Sequence, residues 1–211
     1  MKRGRPGSDK GAGFTLIEMA VTLLILTLLI GRFALPMAAE REARTSKLAA
    51  EEMLAIRAAL LGFAALRGVL PCPDVTGDGL ASASCDGASA EGGLPFVTLG
   101  LAEGRDPWGR PWRYRVDRHF ANPGAPIRLD TDFSDPMQVQ NRHGEKLTTA
   151  EEAPVFVLMS LGANGRADGK NAVQDGQYQY GAPDREFDDQ VLWLSRPTLF
   201  FHLLAAGRGK Q

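Results

Sequence analysis

The chain is poor in the residues that build metal clusters and cross-linked scaffolds. It has two cysteines, Cys72 and Cys85, and three histidines, His119, His143 and His202, in 211 residues. Two cysteines are too few for a multi-disulfide scaffold, and no Cys/His set falls at zinc-site spacing. No serine sits in a nucleophile elbow, and no glycine loop has the form that cradles phosphate. The histidines are scattered and read as structural or surface residues, so an enzyme has no site to work with. Excess charge is lacking too: 24 Lys+Arg stand against 25 Asp+Glu, a net −1. Five of the basic and two of the acidic residues precede Phe33, which leaves 19 against 23, or −4, for the rest. A mildly acidic body does not draw nucleic acid by its field. Internal repeats and extended low-complexity tracts are also missing. The length suits one domain of ordinary size with residues to spare.

Only one long apolar run is present. Phe14 to Ile30 reads FTLIEMAVTLLILTLLI, seventeen residues with a single charge, Glu18. A helix crossing a bilayer core needs ~20 apolar residues, with a range down to ~17. The run is therefore expected to span. It is longer than a typical secretory h-region, and no small-residue cleavage site directly follows it. Lys2, Arg3, Arg5 and Lys10 precede it, which predicts a cytoplasmic N-terminus and an exported remainder. A carboxylate inside an apolar span costs roughly 2.5–3.5 kcal/mol near the centre on insertion scales and tends to mark function. A Glu near the membrane surface would instead snorkel to water.

Gly13-Phe14-Thr15-Leu16-Ile17-Glu18, behind a short basic leader and ahead of an apolar helix, resembles the prepilin signal of type IV pilins and type II secretion pseudopilins. The resemblance covers about the first 35 residues. It implies cleavage between Gly13 and Phe14 by a prepilin peptidase that also N-methylates Phe14. It implies that Glu18 pairs with the terminal amine of a neighbouring subunit during assembly. The implied partners are other pilin or pseudopilin subunits, the prepilin peptidase/methyltransferase, an inner-membrane assembly platform and lipid. The implied location is the bacterial inner membrane, single-pass, with the globular domain periplasmic, and then a periplasmic filament. Physical chemistry agrees: methylation keeps the amine charged, and a cation meeting Glu18 at low dielectric is strongly attracted.

Residues 1–13 thus read as leader, 14–35 as membrane or filament-core helix, 36–70 as an amphipathic continuation, and 71–211 as an exported β-rich domain. Pro36 is expected to bend the helix without ending it. Ala39 to Gly68 is rich in strong helix formers, and Met53, Ile56, Leu60 and Phe63 mark one apolar stripe. Gly68 and Pro71 supply a stop. The expected fold class is α+β: a long N-terminal α-helix packed on a small, mostly antiparallel β-sheet, as in pilins.

Beyond Leu70, turn chemistry dominates to Gly93. Cys72 and Cys85 flank a loop; outside the cytoplasm a disulfide is expected there, and otherwise two thiols. Asp74, Thr76, Asp78 and Gly79 fit positions 1, 3, 5 and 6 of a calcium loop, but position 12 is Cys85, where a bidentate glutamate is required. Turn-forming Asp and Gly explain the same letters. Trp112, Tyr114 and Val116 alternate with charged residues as in a half-buried strand. The block Asp106-Pro107-Trp108-Gly109-Arg110-Pro111-Trp112-Arg113-Tyr114 is similar to the segment leading into the sheet of major pseudopilins. Arg105, Arg110, Arg113, Arg115 and Arg118 read as a solvated face, with a basic patch as the alternative. Ala153–Leu161 and Val191–Leu194 read as strands, 162–181 as polar loop, and Thr198–Ala206 as a last helix.

Asp184, Asp188 and Asp189 lie in a late acidic loop. Some major pseudopilins bind calcium in such a loop, so these three join Asp74 and Asp78 as calcium candidates, although no ligand motif matches residue by residue. The function read from the sequence is a structural subunit of a type II secretion pseudopilus or related filament. The alternatives are a minor type IV pilin, a tip subunit that binds cargo, a surface or DNA, and an anchored enzyme.

Overall fold

The computed structural model describes residues 14–208, apart from the side chains of 31–38 and 88–89. The basic leader with Gly13 lies outside the described residues. The chain divides at Ala43/Arg44 into two compact units. Helix α1, Leu16–Arg67, contributes to both.

In the first unit α1 begins at a cap. Thr15 precedes the helix and its Oγ1 accepts the backbone N–H of Glu18 at 3.3 Å. Thr-x-x-Glu is the capping-box pattern, with Glu18 at the third helical position. The apolar side chains from Leu16 to Ile30 are exposed all round the helix. Fifteen residues rise roughly 22 Å at ~1.5 Å each, less than the ~30 Å of a bilayer core. Among the described residues, no helix is long and apolar enough to cross a membrane. The helical backbone runs on through position 36. The bend expected at Pro36 falls within 31–38, outside the fully described residues.

The second unit is α+β. Strands β1 (Glu91–Gly93), β2 (Arg113–Val116), β4 (Pro154–Ser160) and β6 (Gln190–Ser195) form an antiparallel sheet in the order β1-β2-β4-β6. Strands β3 (Gln138–Asn141) and β5 (Gln177–Tyr180) pair in parallel as a separate sheet. Helix α2, Arg196–Ala205, follows β6 directly, with Pro197 in its first turn. Proline is favoured there because its missing N–H would have no helical partner.

Every residue of β4 is buried. Its central place explains this, since both its faces are covered. On one face Phe156 and Leu158 pack with α1, α2, Tyr114 and Val116; on the other Val157 and Met159 pack with Val139 and Tyr178 of the small sheet. The buried stripe of α1 is Ala49, Met53, Ile56, Leu60 and Ala64. Phe63, expected in that stripe, is only half-buried. Steps of four, three, four and four keep one face of a 3.6-residue helix against the sheet, and Ala64 continues that line one position beyond Phe63.

The α1 C-terminus is closed from afar. Gly68, at φ 79°, donates to Ala64 O, and the Arg208 guanidinium donates to Ala65 O and Leu66 O. These are the orphan carbonyls of a helix end, where a cation also suits the dipole. Cys72 and Cys85 form a disulfide, with Cα atoms 5.4 Å apart.

Leu60→Ala is expected to cost about 2–5 kcal/mol, because it empties a fully buried site. Phe63→Ala should cost clearly less despite its larger side chain. Denaturant unfolding of the detergent-solubilised chain checks the order.

Candidate functional site

The sheet register builds a site at one end of β4. Ser160 pairs with Gln190 across the antiparallel ladder. The turn leaving β4 at 161–165 therefore lies beside Asp188 and Asp189, which lead into β6. Gly162 and Gly165 take positive φ, 55° and 71°, and make that turn tight. A Cβ at Gly162 would collide with Asp188.

Asp168 joins from the next stretch of loop. Its carboxylate, with those of Asp188 and Asp189, places ligand oxygens within 4.8 Å of one another. The three are laced together. Asp188 N–H donates to Asp168 Oδ2 at 3.0 Å, and Asp168 N–H donates to Asp189 Oδ2 at 2.7 Å. Asn164 N–H donates to Asp188 Oδ2 at 2.8 Å, Asn164 Nδ2 to Asp168 Oδ2 at 3.1 Å, and Asn171 Nδ2 to Asp189 Oδ2 at 2.9 Å.

This arrangement is short of positive charge. Asp189 is 3% exposed. Its Oδ1, and that of Asp188, are buried without a hydrogen-bond partner among the described residues. The ion pairs of the described residues include none to Asp168, Asp188 or Asp189. Burial, together with the charges of Asp168 and Asp188, pushes the Asp189 carboxyl up to about 6 against hydrogen bonds from Asp168 and Asn171. Burial and the charge of Asp168 also raise Asp188. Buried unpaired carboxylates are costly. Clustered hard oxygens with two open lone-pair sites suit a hard divalent cation, and calcium accepts such a flexible oxygen set. The residues present therefore fit a calcium ion.

Other acidic candidates are placed elsewhere. Asp184 closes its own turn, accepting from Glu186 N–H and Phe187 N–H, and pairs with Arg142. Those hydrogen bonds hold its carboxyl below the usual carboxylate range, the Arg142 bond most strongly. Asp74 accepts from Thr76 N–H, Thr76 Oγ1, Gly77 N–H and Gly79 N–H. Burial raises it, but these donors outweigh burial and leave it lowered. Asp78 caps Leu80 N–H. The structure thus groups Asp188 and Asp189 with Asp168 and leaves Asp74, Asp78 and Asp184 outside the group. Asp168 and Asn164 were not singled out from sequence. Their signal was the Asn164-Gly165…Asp168-Gly169 spacing, but their partners lie some twenty residues further along the chain.

The five arginines have local work. Arg105 donates to Gly109 O, Arg110 to Gly162 O and Ala163 O, Arg113 to Glu91, Arg115 to Asp135, and Arg118 to Asp86. Glu91, buried on β1, also receives Tyr178 Oη at 3.0 Å. Burial, and then the Glu91 charge, push the Tyr178 phenol far above its ordinary range. The histidines lie apart: His119 Nδ1 meets Asp132 O, His143 N–H is capped by Asn141, and the His202 ring contacts Phe201.

At the other end of the chain stands the capped start of α1, where Phe14 and Glu18 are both exposed. Glu18 occupies the first helical turn, where a carboxylate also suits the positive end of the helix dipole.

In calcium-free buffer the raised carboxyl of Asp189 sets a pH trend. Its unfolded counterpart ionises near 3.8, whereas the folded group holds its proton to about 6. The unfolded chain therefore binds fewer protons over that range, and stability falls as pH rises from about 4 to about 6. Asp189→Asn should be more stable than wild type at pH 7.5 in chelator, and the two should converge near pH 4. Thermal unfolding at both pH values measures this.

No curated protein and no solved structure matches the chain. Residues 9–31 match the family described as the prokaryotic N-terminal methylation motif. That stretch holds Gly13, Phe14, Thr15 and Glu18, and it implies a membrane-associated precursor, processing by a prepilin peptidase and assembly with other pilin subunits. The chain carries the prepilin-type signal that is the signature of type IV pilins and pseudopilins.

Proposed function

We propose that the chain is a structural subunit, a pseudopilin, of a type II secretion pseudopilus or a related filament. The observation that carries this reading is the methylation motif at 9–31 set against an α-helix whose apolar side chains are exposed all round. A bare apolar helix is costly in water. Lipid, and then the helices of neighbouring subunits, would cover it. On this reading the precursor is a single-pass inner-membrane protein with a cytoplasmic leader, its span taking in Phe33, Ala34 and Leu35 beyond the fifteen residues from Leu16 to Ile30, and the unit from Arg44 onward is periplasmic. Cleavage between Gly13 and Phe14 leaves an ammonium at Phe14, which methylation keeps charged. Glu18 of one subunit then meets the Phe14 amine of the next, and the pair sets the axial register. An oxidising periplasm suits the Cys72–Cys85 disulfide.

The acidic group is read as a calcium site. Asp168, Asp188 and Asp189 would hold the ion, and the ion would supply the positive charge that the side chains around them do not. Its structural effect would be to lock the 161–189 loops onto the ends of β4 and β6.

Two variants separate the roles of Glu18. Glu18→Gln keeps the capping-box pattern, which accepts Glu or Gln, and removes the charge; Glu18→Ala removes both. Both should insert and be cleaved, and mass spectrometry should find a methylated Phe14 at the mature N-terminus. Both should fail to enter filaments. Normal filament incorporation of Glu18→Gln would refute the charge-pair role, and a mature terminus other than Phe14 would refute the processing route.

A further inference from the structure

The turn beside the acidic group is gripped from its other side by Arg110. Arg110 Nη1 donates to Gly162 O at 2.5 Å and Nη2 to Ala163 O at 2.6 Å. In a planar trans peptide the C=O and N–H of one unit point in opposite directions. The Gly162 carbonyl shares its peptide plane with the Ala163 amide, and the Ala163 carbonyl shares its plane with the Asn164 amide. Drawing both carbonyls toward the guanidinium therefore turns both amides away from it. The second of those amides, Asn164 N–H, donates to Asp188 Oδ2 at 2.8 Å. There is little slack in the grip, because a Cβ at Gly165 would collide with the Arg110 guanidinium.

Arg110 is itself fixed by the block that carries it. Its N–H donates to Asp106 Oδ1 at 2.8 Å, and Ser160 Oγ donates to Asp106 Oδ2 at 2.6 Å. Gly162 N–H in turn donates to Ser160 Oγ at 3.2 Å. Asp106 and Ser160 are both buried. The hydrogen bonds close a ring from Asp106 through Ser160 and Gly162 to Arg110 and back to Asp106. A planar fork with two parallel donors suits two successive carbonyls in a way that a lysine ammonium does not.

We propose that Arg110 is the positioning residue of the acidic site: by holding the Gly162 and Ala163 carbonyls it aims the Asn164 amide at Asp188 Oδ2 and leaves the Oδ1 atoms of Asp188 and Asp189 to one shared cation. The role rests on the calcium reading of that site. Arg110 touches no ligand oxygen of the ion; it acts through the turn, as residues behind a metal's direct ligands do when they orient them.

The test uses the full chain in detergent micelles, stripped with chelator and titrated calorimetrically with calcium chloride. Wild type, Asp189→Asn, Arg110→Lys and Arg110→Ala are compared at a temperature where circular dichroism shows each folded. Wild type should bind, and Asp189→Asn should lose most of its affinity. Arg110→Ala should weaken binding by about tenfold or more, the range found when an outer partner of a metal ligand is removed. Arg110→Lys should fall between, and it keeps the role testable if the alanine variant does not fold. Without calcium, amide hydrogen exchange at Asn164 should speed up in both arginine variants. Arginine variants that bind calcium like wild type, with Asn164 exchange unchanged, would overturn the positioning role and leave the calcium reading standing. No calcium binding by wild type would overturn both.

Discussion

The fold of the second unit depends on one strand being buried on both faces. All residues of β4, Pro154–Ser160, are removed from solvent. A single helix layer would leave Val157 and Met159 wet, so the chain must supply cover on each side. The stripe of α1 and Leu199 and Leu203 of α2 cover one face, and the small β3–β5 sheet covers the other. Placing β5 there has a cost, because it helps bury the Glu91 carboxylate of β1, even though Tyr178 Oη donates to it at 3.0 Å. Arg113 and Arg115 reach the same carboxylate and compensate it. An uncompensated buried charge at that point would be strongly destabilising.

The same register decides where the candidate site lies. With Ser160 opposite Gln190, the turn leaving β4 and the acidic residues entering β6 become neighbours, although they are separated by more than twenty residues of chain. Asp188 and Asp189 were legible as acidic residues in a late loop. Their partner Asp168 was not, because its role comes from the return of the chain through β5. That strand, Gln177–Tyr180, was read as loop: its Gln and Tyr residues alternate without an apolar face long enough to register. The β4 and β6 strands and the last helix were legible because each carries a run of apolar residues of the right length. The stripe of α1 was legible to within one residue. Counting large side chains alone chose Phe63, whereas the helix places Ala64 on the face toward the sheet, where a small residue permits close approach.

The arginines show why composition alone misleads about partners. Five of them in fourteen residues, 105–118, read as a solvated face with a basic patch as the alternative. Each donates to a carbonyl or a carboxylate of the same unit; Arg105 and Arg118 stay exposed, whereas the side chains of Arg113 and Arg115 are largely covered. Spacing marks which residues share a strand. It does not show which acceptors, distant in sequence, will be waiting on either side of it.

The two candidate regions pose the same electrostatic problem in opposite settings. Glu18 is one carboxylate in an apolar helix, stabilised locally by its position in the first turn. Asp168, Asp188 and Asp189 are three carboxylates crowded at a sheet end, stabilised locally by amides and by two asparagines. Local donors reduce the cost of a carboxylate but bring no net positive charge. Hydrogen bonds saturate one oxygen each of Asp188 and Asp189 and leave the other bare, whereas the buried Glu91 has arginines within reach. A chain with 24 basic residues had the means to supply a counter-charge at either place. Among the described residues it does so at Glu91 and not at the sheet end, which supports the proposal that a cation from outside the chain supplies the charge there. At Glu18 the same reasoning looks, on the proposed reading, to a neighbouring subunit, whose mature N-terminal amine would be the cation that assembly brings to the carboxylate.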